Sequence, residues 1–476
     1  MATARPIPFI GPPTQRATGT GDQRYVNVLF EIIKNETVGE QTVNCIKRPG
    51  LLNSTQPPAA AATGRGLYLW DHTGKIYTVF ANKIWSNTTD LGVTLAASSG
   101  RVWFTETPAS SSARLLIVSD GTDNYNITNA DVITQIDEVD DADYPTNNLG
   151  PILYMDGYLF QPRSNGQLWN SDLNDFDSWT AASFLNVDTH GGGLEAIHIL
   201  KDQIVALTKN RIEFFFNNGN PTGSPLLRID QNTLFTGLAA KNSLAWAGDI
   251  MIFVAENSSG GDGGRFVMMI SPGQAKDISS DSAIPINRFL SLELQTIGTC
   301  TAWMERVAGH LIYVLNLDLS ERTFVYHVDS GLWCEWEIAA GGAKFDGIAA
   351  TSNSGEIYIQ NATNGRVHVL GTTTFQDSAA NFTVTLQPGR TNGGSQNRKF
   401  ESGISIIGDT TTGSVAYSYS DNDGTTFNTA RNIDMTTARK RLTRCGSFYN
   451  RIRRFTYTQN AAFRVQAFVP EIDVGS

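Results

Sequence analysis

The densest chemistry in this chain is cationic. The stretch ARKRLTRCGSFYNRIRR carries Arg439, Lys440, Arg441, Arg444, Arg451, Arg453 and Arg454, seven cations within 16 residues and no acid. Guanidinium forks match carboxylates and phosphates equally well. Three uses fit: a solvated strand face, an ion-pair surface toward another subunit or an adaptor protein, or contacts to nucleic-acid phosphates. The strand-like alternation of the stretch is unlike a flexible basic tail, which weakens the phosphate use. The acidic counterpart is DEVDDADY, with Asp137, Glu138, Asp140, Asp141 and Asp143. It lacks the glycine and terminal glutamate of an EF-hand loop. It reads as a solvated loop, a chance calcium site, or a docking loop for a basic surface such as the arginines of a neighbouring copy.

Other reactive residues form no constellation. His190, His198, His310 and His327 are not spaced as ligand pairs, and His198 and His327 fall inside apolar strands. Cys45, Cys300, Cys334 and Cys445 lie far apart, so neither a zinc site nor a disulfide framework is expected. The glycine-rich GDGGR at 261–265 lacks the Lys-Ser/Thr of a phosphate-binding loop. No Gly-x-Ser-x-Gly elbow occurs. Glu195, Glu213 and Asp346 are only generic candidates for a glycosidase pair. SDNDGTTF at 420–427 resembles the Asp-box hairpin of sialidases, a structural turn, with Asn422 at its central acid. No catalytic, cofactor or metal site is therefore expected.

The elements that carry these residues are strands. The chain has 476 residues, 17% charged against the usual ~25%. The 44 glycines, with many Asn, Thr and Ser, favour strands and tight turns. The formal net charge of −10 argues against gripping DNA, although a wall of like charge lets a duplex slide past. Residues 390–464 hold twelve Lys/Arg against five Asp/Glu, a net of +7, which leaves −17 for the rest. No apolar run reaches the ~18 residues of a membrane helix. Prolines interrupt the N-terminal MATARPIPFIGPP, so no secretory leader is expected.

Residues 1–60 read as an extended arm with two strands, expected to pack on the C-terminal domain. From 61 to 375, apolar runs alternate with turn signals such as Asp156-Gly157 and Asn364-Gly365. Comparable strands start near Ile76, Leu115, Tyr158 and Gln203, spaced by 39, 43 and 45 residues. That period predicts a β-propeller of six or seven irregular blades, with a sandwich or meander as the alternative. A short helix is expected near 286–294. Residues 376–476 alternate cleanly and predict a second, smaller antiparallel β domain. The fold class is all-β.

Several segments in order resemble the tail hub, or nozzle, protein of short-tailed bacteriophages, also called the packaged-DNA stabilisation protein. They are GDQRYVNVLFE with the later RPG, LEAIHILKDQIVALTKNRIEFFFNNGN, RFVMMISPGQAKDISSDSAI, YSYSDNDGTTF and NRIRRFTYT. The resemblance spans most of the chain. It implies a propeller body, a small β domain and a homohexameric ring below the portal and its adaptor, or head-to-tail connector. Such a ring closes the DNA exit after packaging, passes genomic DNA without specific binding, and carries tail fibres or tailspikes and a plug or needle. It implies no enzyme, no membrane anchor, and a place in the virion tail after assembly in the host cytoplasm. A glycan-binding or glycan-cleaving propeller is the alternative.

Overall fold

The computed structural model describes residues 6–11, 22–35, 40–54, 61–108, 114–187, 193–220, 222–257, 264–339 and 341–475. His190 and residues 261–263 lie outside them, as do the prolines at 12 and 13. The regular structure of the described chain is nearly all strand, and its one α-helix is Ile286–Leu292. The turns follow from residue type. Asp156 and Gly157 adopt φ of 51° and 90°, the pair of positive angles a type I′ hairpin demands, and they join Leu153–Met155 to Tyr158–Pro162.

Antiparallel units of at least four strands span 64–94, 103–136, 153–186, 194–228, 236–277 and 301–336; the last unit, 347–371, has three strands from its own segment. They are numbered blades 1 to 7 below. Neighbouring blades pack through their inner strands, and the inner strand of blade 7 packs on Gly64–Trp70 of blade 1, which closes the ring. Six blades are free-standing sheets. Blade 6 is the first four strands of a nine-stranded sheet.

Blade 7 is completed by Gly50–Asn53, whose Leu51 lies opposite Leu370. This corrects the expectation that residues 1–60 all serve the end domain. A strand that precedes blade 1 supplies the outer edge of the last blade. The reason is reach: residues 24–47 are held in the end domain, and the chain must pass blade 7 to enter blade 1.

The end domain is a two-layer sandwich. One layer has strand order Val28–Asn35, Glu40–Lys47, Arg464–Val474, Lys399–Gly408, Arg441–Thr443. The other is the remainder of the nine-stranded sheet, in which Arg24–Val26 lies between Leu332–Trp336 of blade 6 and Val384–Gln387. Between the layers, Phe455 meets Phe468, Phe9 and Tyr417 with ring centres 5.2–5.3 Å apart. Burying each such ring contributes about 1.5–3 kcal/mol.

The joint between propeller and end domain is built on Arg48, which is 1% exposed. Its guanidinium grips both oxygens of Asp377 at 3.0 and 2.6 Å and donates to the Glu337 carbonyl at 3.0 Å. It also donates to Asn27 Oδ1 at 2.9 Å and lies 3.9 Å from the Phe382 ring centre. Two residues on, a Cβ on Gly50 would sit 2.1 Å from the Gln376 carbonyl oxygen, so only glycine allows this crossing.

Arg48→Ala leaves Asp377 without its cation, and losing one partner of a buried pair costs about 3–5 kcal/mol. Gly50→Ala forces the backbones apart. Both variants should unfold at lower urea than wild type. An Arg48→Ala midpoint equal to wild type removes the joint from this role.

Candidate assembly surfaces and the closed propeller axis

The seven cations of the C-terminal cluster do not form one surface. Strand Ile452–Tyr457 alternates, so Arg453, Phe455 and Tyr457 face the sandwich interior. Arg453 donates to Glu401 at 3.0 Å across the two layers. Arg451 donates to the same carboxylate at 2.9 Å and to both oxygens of Asp421 at 2.8 Å, with the Tyr419 ring 3.6 Å away. Side chains of Arg451 and Glu401 are 0% exposed. These two arginines are therefore interior ion-pair partners, and the expectation that they face a neighbour is corrected.

The other five divide. Arg454 is half-buried, stacked 3.5 Å from the Phe427 ring centre, and donates to Gln387 Oε1 at 2.8 Å. Arg441 hydrogen-bonds Glu471; that bond, with the nearby charge of Arg439, holds the carboxyl below its ordinary range. Lys440 is buried, its ammonium 3.4 Å from Thr410 Oγ1. Arg439 and Arg444 are the exposed members.

The acidic loop divides in the same way. Asp141 accepts the Trp179 N–H at 2.7 Å and Asp143 accepts that of Ala181 at 3.2 Å. Both donors belong to Asp175–Asn186, the outer strand of blade 3, whose pairing is broken by register shifts. The two carboxylates thus satisfy an irregular sheet edge. Asp137 accepts the Val139 N–H at 2.7 Å and closes its own turn. Glu138 and Asp140 are exposed on either side of Val139, which is 87% exposed.

The axis of the propeller is filled. Inner strands of five blades leave a cavity of about 200 Å³, bordered by Tyr68, Arg101, Trp103, Trp246 and Trp303. This is below the ~300 Å³ floor of ordinary ligand pockets. Trp103 and Trp246 lie nearly parallel, and the Arg101 guanidinium stands 4.4 Å over Trp103 while donating to the carbonyls of Asn242 and Leu244 at 3.1 and 2.9 Å. His198 packs 4.4 Å from Trp246. The sequence carried an unused signal for this plug: RVWF, LAWA and TAWM place tryptophan on inner strands of blades 2, 5 and 6.

The remaining candidates are structural in their geometry. Glu195 pairs with Lys209 at 3.4 Å and Glu213 with Arg228 at 2.9 Å, on different strands of blade 4, whereas Asp346 precedes blade 7. All four cysteines are buried and free, and burial pushes the Cys45 and Cys300 thiols up to about 12. In the Asp-box-like turn, Asn422 Oδ1 accepts the Thr426 N–H at 3.0 Å, and Asp421 serves Arg451. Among the described residues, no three His, Cys, Asp or Glu side chains gather as a metal site, and no helix is long and apolar enough to cross a membrane.

The family described as "Bacteriophage P22 Gp10, beta-propeller" matches residues 26–375. The chain belongs to that family and is a phage structural protein with a propeller fold. No curated protein matches it. Two solved structures are similar to this chain at low identity. A catalytically inactive virginiamycin B lyase from Staphylococcus aureus is 12% identical over 67% of this chain and 97% of its own, with a TM-score of 0.43. The WD40 propeller domain of Doa1 is 11% identical over 68% and 97%, with a TM-score of 0.40.

Two predictions follow from the buried groups. Glu401→Ala leaves the interior Arg453 without its acid and removes one of the two that hold Arg451, and should cost about 3–5 kcal/mol in denaturant unfolding. Arg439→Ser and Arg444→Ser, on the surface, should each change it by less than about 0.5 kcal/mol. Burial also pulls His198 and His327 down to about 3, His327 with help from the His310 charge. Unfolded histidine titrates near ~6.5. Between these values the unfolded chain binds protons that the folded chain refuses, so stability falls as pH drops below about 6.5. The drop in melting temperature from pH 7.5 to 5 should shrink in His198→Phe.

Proposed function

We propose that copies of this chain form a homohexameric ring in the phage tail, docked below the portal and its adaptor, with the DNA passing through the lumen of the ring. Its roles there are to close the channel after packaging and to support fibres or tailspikes and a plug or needle.

The observation that carries this reading is the filled propeller axis, taken with family membership. Stacked tryptophans and a guanidinium leave about 200 Å³ between the inner strands, so no duplex passes through one copy. A conduit built from such a body has to lie between copies. The net charge of −10 supports a lumen that repels phosphate and lets DNA slide. The contrast between a cationic 390–464 segment and an anionic remainder supports contacts in which unlike patches of successive copies meet, the heterologous geometry that closes rings. No catalytic role enters the proposal: Glu195 and Glu213 are each held in their own ion pair, and Asp346 belongs to a different blade.

Negative-stain electron microscopy and native mass spectrometry of the protein, alone and mixed with portal–adaptor complexes, should reveal six-membered rings. A 30-base-pair duplex should show no binding by fluorescence anisotropy at physiological salt. Material that stays monomeric with portal–adaptor present, at every concentration, overturns the proposal.

A further inference from the structure

A groove lies away from the axis, between blades 4 and 5. Its volume is about 470 Å³, inside the range of ordinary ligand sites. The floor is apolar: Phe214 and Ile270 are buried beneath it and Leu234 is half-buried. The rim carries four carboxamides. Gln203 comes from the second strand of blade 4, Gln231 and Asn232 from the 3-10 turn Asp230–Asn232, and Gln274 from the outer strand of blade 5. These four side chains make no hydrogen bond to the protein. The charged lining residues are Lys201 and Asp202, adjacent and opposite in sign.

We infer that this groove binds a neutral oligosaccharide. Each free carboxamide offers a donor pair and an acceptor in one plane, the complement of neighbouring sugar hydroxyls. The apolar floor suits the C–H face of a sugar ring. The cancelling Lys201–Asp202 pair gives a charged ligand no net attraction. The site goes beyond the assembly role, and its occupancy does not depend on ring formation. It calls for binding alone and no bond-breaking step.

The test uses the full chain with maltohexaose and a neutral galacto-oligosaccharide, read by isothermal titration and saturation-transfer NMR. An acidic oligosaccharide and a neutral strand-forming peptide are the comparison probes. One neutral saccharide should bind with a Kd near ~1 mM, the weak range expected of a shallow open groove. Ala275 is exposed on the outer strand of blade 5, so Ala275→Trp fills the groove without entering the core. That variant should keep the wild-type melting temperature and weaken binding at least tenfold. Asn232→Ala with Gln274→Ala should weaken it several-fold. Three results overturn the inference: no neutral saccharide response at ~10 mM, equal binding by wild type and Ala275→Trp, or capture of the peptide in place of the sugars.

Discussion

The architecture hangs on one caged cation. Arg48 is enclosed by aromatic rings and tied to Asn27, Glu337 and Asp377, which come from three separate parts of the chain. A guanidinium removed from water must have its hydrogen bonds satisfied, and here each partner lies in a segment that has to arrive together with the others. Asn27 belongs to the N-terminal strands, Glu337 ends blade 6, and Asp377 opens the end domain. Once Arg48 is seated, Gly50–Asn53 is delivered to the edge of blade 7 and the ring is closed from outside. A second buried carboxylate reinforces the joint. Burial alone would raise Glu335, but Arg24 and Arg322 outweigh it and hold it ionised below its ordinary range.

Much of this was legible in the sequence, and the reasons are local. The blade period and the Asp-Gly turns come from short-range physics, so the propeller and its six or seven blades could be read without the structure. The short helix near 286 is likewise a local feature. The transfer of residues 50–53 to blade 7 was not legible, because it is fixed by a strand more than 300 residues away.

The candidate surface was misread for a related reason. Seven cations without an acid look like a solvent-facing stripe when only neighbours in sequence are counted. The acids that pair with Arg451 and Arg453, Glu401 and Asp421, lie 30 or more residues upstream, and the acid that pairs with Arg441, Glu471, lies 30 residues downstream. Period-two alternation already placed Arg453 on the same side as Phe455 and Tyr457, and that pattern outranks composition. The same lesson applies to Asp141 and Asp143, which look like a docking loop yet cap a sheet edge.

Burying Arg451 and Arg453 does not change the electrostatic asymmetry of the molecule. Two cations leave the surface, Glu401 is buried with them and the exposed Asp421 is tied to Arg451, so the net of +7 over 390–464 stands. The positive charge is instead spread over separate arginines such as Arg439 and Arg444. A diffuse field of this kind orients an encounter over a Debye length of about 8 Å without fixing a register. Like charge disfavours pairing the cationic end of one copy with that of another. In the ring proposed above, the favoured approach would set the cationic end of one copy against the anionic body of the next. Repetition of that unlike pairing, with a fixed rotation, generates a closed ring when the angle allows. In the proposed ring, register would then rest on apolar knobs within charged surroundings, and Val139 between Glu138 and Asp140 has that form.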